Sequence, residues 1–469
     1  MLTLSDHLPD RTCQGYSRRD FLRVGSLALG GLTLAGLLGA RAEAGEIARA
    51  VTGKSVVLLF LQGGPPHIEF FDPKMTAPPD FHSITGEVKT ALPGVTFGGT
   101  FPKLAAMADK LAIVRSYGTN NGEHTYQQVL SGRNALKATM GALYSRIAGT
   151  SDPKTGMPSN TLILPESLDP TLKLQRNFET DALPTLTAPG ALGATYEAFN
   201  TAGGGDLNKD MRLAMSPERF QDRRSLLKSL DAFRRRMDAS GAVERADQYQ
   251  QQAYDVVTGG VASAFDLSKE DPRTIERYDT SKLFDIEELH RWNDMRRASN
   301  LLGRQLLMAR RLCEAGCGFV TVSDCGWDYH ANGNSPKQMA GIHPMGGQVD
   351  HAVSAFIEDI YQRGLSDKIM LVVTGEMGRT PRLNKDGGRD HYGKLTTLML
   401  AGGGLKTGQV IGESDPHATE PVTTPYGPEN LLATVMRGVL DVAAVRTMPE
   451  IPSDVATAIS DPEPIRELF

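Results

Sequence analysis

The chain has 469 residues, a formal net charge of -5 and 22% charged residues that are spread along its length. No basic domain or basic stripe stands out, so the composition argues against a nucleic-acid partner. The length is ample for one large hydrophobic core or for two domains.

The N-terminal segment has the three parts of a twin-arginine export signal. Paired arginines stand in Ser17-Arg18-Arg19-Asp20-Phe21-Leu22, an apolar stretch follows from Val24 to Leu38, and small residues for cleavage stand in Ala40-Arg41-Ala42-Glu43-Ala44. The alternative is a membrane anchor, but the stretch is rich in Gly and Ala and falls short of the roughly 20 residues that a spanning helix needs. We therefore predict a signal peptide over residues 1–44, a mature domain over 45–469, a periplasmic location, and contact with the membrane only through the translocation machinery.

Apolar, β-branched runs predict five buried strands with helical patterns between them. In chain order the strands are Lys54–Leu61, Leu111–Ser116, Gly318–Ser323, Lys368–Thr374 and Leu395–Leu400. The predicted helices are Phe101–Ala108, Leu301–Ala315 and Val349–Gln362. Strands that alternate with helices predict an α/β fold with a mostly parallel central sheet and helices on both faces.

The middle of the chain differs from this pattern. Residues 206–265 are charged and helical in period, without strand-like runs, which predicts a helical insertion at about 206–300. Three cysteines remain after the signal, and Cys313 and Cys317 are spaced to share one face of a helix end. They could be buried thiols, a metal pair or a disulfide, and buried thiols are the default.

Acidic and imidazole side chains follow four of the predicted strands. They are His67, Glu69 and Asp72 after the first, Glu123 and His124 after the second, Asp324, Asp328 and His330 after the third, and Glu376, Asp390 and His391 after the fourth. A parallel sheet brings these strand ends to one edge. Imidazoles and carboxylates hold zinc, while carboxylates with water suit manganese or calcium. The pattern predicts a divalent-metal site that would polarise a phosphoryl or sulfuryl oxygen.

The individual residues differ in how strongly the sequence indicates that they bind a metal. Asp328 and His330 are alternate residues of an extended segment, so their side chains point the same way. Glu376 ends an apolar strand, where an unpaired carboxylate is costly, so either Arg379 or a metal would neutralise it. His67 has the alternative of an ordinary loop histidine.

Asp390 and His391 stand in a glycine-flanked segment just before a predicted buried strand. The simplest alternative for this dipeptide is a solvated turn. Its position favours a functional role, because loops that end at a rigid sheet commonly carry binding residues.

The stretches Ala264-Phe265-Asp266-Leu267-Ser268-Lys269-Glu270 and Leu306 to Val322 resemble planctomycete-type members of the DUF1501 family of bacterial proteins of unknown function. A set of motifs in a fixed order resembles the family as a whole. The motifs are the twin-arginine leader, Gly63-Gly64-Pro65-Pro66-His67, Gly326-Trp327-Asp328-Tyr329-His330-Ala331-Asn332, Gly375-Glu376-Met377-Gly378-Arg379-Thr380 and Asp390-His391. This family is similar to the alkaline phosphatase and sulfatase superfamily. The resemblance implies an alkaline-phosphatase-like fold with divalent metals at the strand ends.

The departures from that superfamily are specific. Glu376 stands where its members have Asp, and Met377 replaces a His ligand. No cysteine of the sulfatase signature precedes Leu130-Ser131-Gly132-Arg133, so a formylglycine mechanism is not expected. Thr125 is the nearest possible nucleophile, with His124 as base or ligand, and its alternative role is the N-cap of the following helix.

We therefore predict an exported metal-dependent hydrolase of phosphate or sulfate esters that acts on a small-molecule or glycan ester, with zinc, manganese or calcium. Arg379 would hold the substrate anion. The predicted metal ligands are His67, Asp328, His330, Glu376, Asp390 and His391. The alternative is a non-catalytic or degenerate metal-containing domain that binds a cell-surface glycan or a protein partner. A nicotinamide or flavin enzyme is disfavoured, because Gly402-Gly403-Gly404 is not a dinucleotide-binding fingerprint.

Overall fold

The computed structural model describes residues 50–152, 155–169, 171–172, 182–202 and 261–469. The predicted signal peptide and residues 203–260 of the predicted insertion lie outside the described residues. Residues 261–300, the described end of that insertion, contain helices and no strand. Among the helices described, none combines the length and the apolar character that a membrane crossing requires.

Twelve strands are present in the described residues. They are β1 (Ser55–Gln62), β2 (Glu87–Lys89), β3 (Thr96–Gly98), β4 (Leu111–Val114), β5 (Asn160–Ile163), β6 (Phe199–Asn200), β7 (Phe319–Cys325), β8 (Ile369–Thr374), β9 (Gly378–Arg379), β10 (His391–Tyr392), β11 (Leu398–Gly402) and β12 (Gln409–Ile411). All five predicted strands are present, as β1, β4, β7, β8 and β11, and their ends differ slightly from the predicted ones. All five belong to the central sheet.

The α-helices of the same residues number thirteen. They are α1 (His67–Phe70), α2 (Pro102–Ala106), α3 (Tyr126–Leu130), α4 (Met140–Ala148), α5 (Leu183–Leu186), α6 (Ala262–Phe265), α7 (Pro272–Tyr278), α8 (Ile286–His290), α9 (Leu302–Glu314), α10 (Ile342–Gln362), α11 (Pro428–Val439), α12 (Val442–Thr447) and α13 (Ser453–Ser460). The longest, α10, begins seven residues before the predicted start at Val349.

Eight strands form the central sheet in the order β12-β4-β11-β8-β1-β7-β5-β6. Within this sheet β11 alone runs against the rest, because it pairs antiparallel with β4 and β8 while the other neighbours are parallel. Two small antiparallel ribbons, β2 with β3 and β9 with β10, lie outside it. The predicted α/β class with a mostly parallel sheet is confirmed.

The central strand β1 shows why the sheet is covered on both sides. Val57, Leu59 and Leu61 are buried in a core cluster with residues of α9 and α10. Leu58 and Phe60 point to the other face, since successive side chains of a strand alternate, and they are buried too. Helices α4 and α11 pack on that second face, against β5 and β1. Full burial of each such side chain contributes about 1.5–3 kcal/mol.

The early start of α10 has a packing cause. Its first two turns contain Pro344, Gly346 and Gly347, which disfavour a helix in isolation. Proline is tolerated in the first turn, where its missing N–H is not needed. Gly346 lies so close to Thr100 that a Cβ atom there would come within 2.6 Å of the threonine Oγ1. Tertiary contact therefore fixes a helix that local sequence does not favour.

The strand directions bring distant segments together. Strands β1, β7 and β8 are adjacent and parallel, with Gln62 opposite Cys325 and Phe60 opposite Thr374. The segments that follow them leave the sheet at the same edge.

The three cysteines after the predicted signal are Cys313, Cys317 and Cys325. All three are buried and free, and Cys325 lies at this edge of the sheet.

Candidate metal centre

Seven side chains converge beyond the carboxyl ends of β1, β7 and β8. We call them the strand-end cluster: His124, Asp328, His330, Glu376, Arg379, Asp390 and His391. Four separate segments of the chain supply them. Six of the seven are acids or imidazoles, as the sequence pattern predicts for this edge.

Asp328 lies at the centre of the strand-end cluster. Its Oδ1 is 3.0 Å from Nε2 of His330 and 3.4 Å from Nε2 of His391, and Arg379 donates to the same oxygen. Its Oδ2 is 3.6 Å from Nε2 of His124. The ring of His391 lies 4.6 Å, centroid to centroid, from each of the other two imidazoles. Three imidazoles therefore surround one carboxylate.

Glu376 forms the buried side of the cluster, with no exposed side-chain surface. Its Oε1 is 2.8 Å from Nδ1 of His124 and accepts a hydrogen bond of 2.9 Å from the backbone N–H of Gly63. Gly63 has a φ of +115°, and a Cβ there would approach the backbone nitrogen of Asp328 to 2.6 Å. Only glycine allows the turn after β1 to lie so close to the segment after β7.

Asp390 orients an imidazole from the exposed side. Its Oδ1 lies 2.8 Å from Nδ1 of His330, which leaves Nε2 of that ring directed at Asp328. Asn384 donates to the same Asp390 oxygen at 3.1 Å and to the carbonyl of His330 at 2.9 Å. A carboxylate on the far nitrogen fixes the ring orientation of a histidine.

The charges of the cluster are strongly coupled. Burial alone would lower the pKa of His124, but its hydrogen bonds to Asp328 and Glu376 outweigh burial and raise that pKa to about 9. The hydrogen bond to Asp328 likewise raises the pKa of His330. Burial opposes the charged form of Asp328, yet the imidazoles and Arg379 hold the pKa of its carboxyl well below the usual range.

The donor set fits a divalent cation. One ligand atom each from His124, Asp328 and His391 lies within 4.8 Å of the other two. Nε2 of His391 and Oε2 of Glu376 are buried and have no hydrogen-bond partner among the described residues. Buried polar atoms without a partner are costly, and a cation held by His124, Asp328 and His391 would give the His391 nitrogen a partner. Imidazole with carboxylate suits zinc, whereas calcium prefers an all-oxygen set.

His67 does not join the strand-end cluster, in contrast to the sequence prediction. It is the first residue of α1, and its Nε2 lies 3.1 Å from the carbonyl of Ala418. Burial lowers its pKa to about 4, and the charges that act on it are those of Asp72, Arg389 and Lys74. At its position in α1 this ring therefore has the carbonyl of Ala418 as its partner, and not a carboxylate of the strand-end cluster.

Arg379 also differs from its predicted role. Its guanidinium has no exposed surface and donates to Asp328, to the carbonyls of Gly63 and Gly64, and at 3.2 Å to the carbonyl of Arg389. A side chain enclosed in this way holds Asp328 and three backbone carbonyls from two segments rather than a substrate anion. Glu376 is neutralised from another side, by His124.

Thr125 occupies the N-cap position of α3, but its side chain makes no capping hydrogen bond and is exposed. Thr125 therefore has the position of an N-cap, as the alternative predicts, but it does not act as one through its side chain. Two further contributors, the N–H of Gly63 and the amide of Asn384, were not predicted. The Gly63-Gly64 pair after a buried strand was a usable signal for close backbone approach, whereas nothing in the sequence marks Asn384.

The fold and the strand-end cluster together define an α/β protein with a candidate metal centre at the carboxyl edge of its sheet. The chain belongs to the DUF1501 family of proteins of unknown function, whose model matches residues 53–455. This assignment confirms the family resemblance of the sequence motifs.

Two solved structures are similar over much of the chain. The PsFucS1 sulfatase from Pseudoalteromonas sp. aligns over 81% of this chain and 67% of its own, at 11% identity and a TM-score of 0.32. The lipoteichoic acid synthase LtaP from Listeria monocytogenes aligns over 89% of this chain and 81% of its own, at 10% identity and a TM-score of 0.32. A search of curated proteins found no match.

Proposed function

We propose that the protein is a zinc-dependent hydrolase of phosphate or sulfate esters. The observation that carries the proposal is the convergence of His124, Asp328 and His391 within 4.8 Å. Glu376 contacts His124 through Oε1, at 2.8 Å, and its Oε2 has no partner among the described residues. The ester class rests on the resemblance of the motifs to the alkaline phosphatase and sulfatase superfamily. Zinc is preferred over calcium because imidazoles supply much of the donor set.

His124, Asp328 and His391 would hold the ion, with Glu376 contributing its free oxygen. Bound zinc supplies a Lewis acid for an ester oxygen and lowers the pKa of a bound water. The remaining residues fix these ligands: Arg379 holds Asp328, while the N–H of Gly63 holds Glu376. Such support matters, because catalytic groups must stay close to their productive geometry.

Solvent reaches the strand-end cluster from one side. His124 exposes 37% of its side chain and Asp390 exposes 54%, whereas Glu376 and Arg379 expose none. Thr125 follows His124 in the chain and is exposed, and its hydroxyl is not used for capping. Thr125 is therefore the candidate nucleophile.

The test combines metal analysis with an ester panel. Purified protein is loaded separately with zinc, manganese and calcium and assayed on aryl phosphates and aryl sulfates, alongside Asp328→Ala and His330→Ala. Loss of turnover at retained stability in His330→Ala supports the hydrolase, whereas Asp328→Ala should lose stability as well, because buried Arg379 loses its partner. Protein that binds none of the three ions and turns over no ester contradicts it.

A second candidate is a metal-stabilised domain that binds a glycan or protein partner without turnover. Met377 favours it, because this side chain is fully buried and apolar at the position where the resembled superfamily supplies a histidine ligand. Bound metal without turnover of any ester, together with unfolding of His330→Ala, would select this candidate.

The location outside the cytoplasm is part of the same proposal. It rests on residues 17–44 and on the expectation that the twin-arginine route carries folded proteins. Replacement of Arg18 and Arg19 by Lys should leave the protein in the cytoplasmic fraction, and unchanged export would argue against this route.

A further inference from the structure

A buried ion pair lies beside the strand-end cluster without belonging to it. Glu69 is in α1, just after β1, and Arg389 immediately precedes Asp390 and His391. Neither side chain has any exposed surface. Oε1 of Glu69 lies 3.0 Å from Nη2 and accepts a hydrogen bond of 3.1 Å from Nε of Arg389. The arginine therefore presents two donors of its guanidinium to one carboxylate oxygen.

The other carboxylate oxygen secures a second segment. Oε2 of Glu69 accepts hydrogen bonds from the Ser83 hydroxyl at 2.7 Å and from the backbone N–H of Ile84 at 3.1 Å. Arg389 reaches the same segment, because Nη2 donates to the carbonyl of His82 at 2.8 Å. The pair thus clamps residues 82–84 between its two charges.

Arg389 also fixes the loop in which it stands. Its Nη1 donates to the carbonyls of Thr380, at 3.2 Å, and of Pro381. Its backbone N–H donates to the carbonyl of Tyr329 at 2.9 Å, and its own carbonyl accepts from Arg379. Tyr329 stands between the cluster members Asp328 and His330. One residue therefore ties residues 380–391 to the segment after β7.

We propose that Glu69 and Arg389 are positioning residues that hold Asp390 and His391 in register with Asp328. The role in metal binding rests on the proposed function, while the role in ordering residues 380–391 does not. Loss of either partner leaves the other charge buried and uncompensated, which makes both residues necessary to the arrangement. Neither side chain touches the donor atoms of the candidate metal centre, so the effect is indirect.

The test uses two variants that change the pair gently. Glu69→Gln keeps the size of the side chain and removes its charge, and Arg389→Lys keeps the charge but loses the planar set of donors. The matched control is Glu270→Gln. Glu270 is also largely buried and pairs with Arg310 at 2.6 Å. That network lies near the end of α9, before β7 begins, and so at the opposite edge of the sheet from the cluster.

Two measurements are made on all four proteins. Zinc affinity is obtained by competition with a chelator, and hydrogen exchange of the amides of residues 380–391 is followed in metal-free protein. We expect both pair variants to bind zinc about 10- to 100-fold more weakly, the range found when groups that support metal ligands are removed. Exchange over 380–391 should accelerate in these variants, while Glu270→Gln retains both wild-type values.

Wild-type zinc affinity together with wild-type exchange in Glu69→Gln would overturn the proposal, as would an equal loss of zinc affinity in Glu270→Gln. Should Glu69→Gln not fold, Arg389→Lys decides by the same two measurements. Wild-type protein that binds no zinc would refute the proposed function instead. The exchange of residues 380–391 then still decides the positioning role, which unchanged exchange would refute.

Discussion

Replacement of Glu376 by Gln separates metal binding from folding. Oε1 of Glu376 accepts a backbone hydrogen bond from Gly63 and lies 2.8 Å from His124, whereas Oε2 has no partner among the described residues. The amide of Gln keeps one carbonyl oxygen for Gly63 and removes the charge. A neutral hydrogen bond then replaces a charge-assisted one, so we expect metal-free Glu376→Gln to lose about 1 kcal/mol of unfolding free energy.

The effect in zinc should be larger. At free zinc 100 times the dissociation constant of the wild type, binding adds about 2.7 kcal/mol to the unfolding free energy. A variant that binds 100-fold more weakly gains only about 0.4 kcal/mol at the same zinc concentration. Denaturant unfolding with and without zinc measures both gains. Equal zinc stabilisation of wild type and Glu376→Gln would refute the assignment of Oε2 to the metal.

A matched control is Asp324→Asn. Asp324 is a fully buried carboxyl group at the same edge of the sheet, and its Oδ2 accepts a 2.9 Å hydrogen bond from the Trp327 indole. Burial raises its pKa to about 7, so near neutral pH the change to Asn removes only part of a charge. This variant should keep the full zinc gain.

Three further outcomes are expected. Asp328→Asn should lower the unfolding free energy by about 3–5 kcal/mol, because buried Arg379 loses its partner; a loss below about 1 kcal/mol in denaturant unfolding would contradict the pairing. The unfolding free energy of the wild type should fall by about 2 kcal/mol between pH 7 and pH 5 because of His67. The pKa of this imidazole is near 6.5 in the unfolded chain and about 4 in the folded chain, so only the unfolded chain takes up the proton in that range. Stability therefore rises with pH across that window, and His67→Gln should show a correspondingly flatter pH profile in denaturant titrations, whereas equal slopes would argue against a buried neutral imidazole. Thr125→Ala should leave stability within about 0.5 kcal/mol and lower turnover by about 10³-fold or more, with recovery in Thr125→Ser; unchanged ester turnover in Thr125→Ala would remove Thr125 as the nucleophile.

The sequence predicted the centre of the sheet better than its edges. Strands β1 and β8 carry continuous β-branched, apolar runs because both faces are covered, and each was placed within one residue of its observed start. The edge strands β6 and β12 have two and three residues, too few to produce a pattern. The antiparallel direction of β11 could not be predicted either, because a strand buried on both faces has the same apolar sequence pattern in either direction.

The sequence placed those residues of the candidate site that directly follow a predicted strand. Asp328, Glu376 and His391 could be placed together because each follows a strand whose direction was known. The enclosure of Arg379 could not be predicted, since it depends on carbonyl groups of Gly63 and Gly64 more than 300 positions away. Sequence shows which side chains can carry charge, but burial decides whether that charge faces a ligand or the protein.

The charge balance of the strand-end cluster explains how such a site can assemble before it binds metal. Asp328 and Glu376 at close range would repel each other if no cation lay between them. His124 contacts both carboxylates, and Arg379 donates to Asp328. Zinc can replace the protons of the imidazoles but not the buried guanidinium, so Arg379 remains to orient Asp328 in both states. A fixed cation at Asp328 would therefore keep the proposed ligand geometry independent of metal supply.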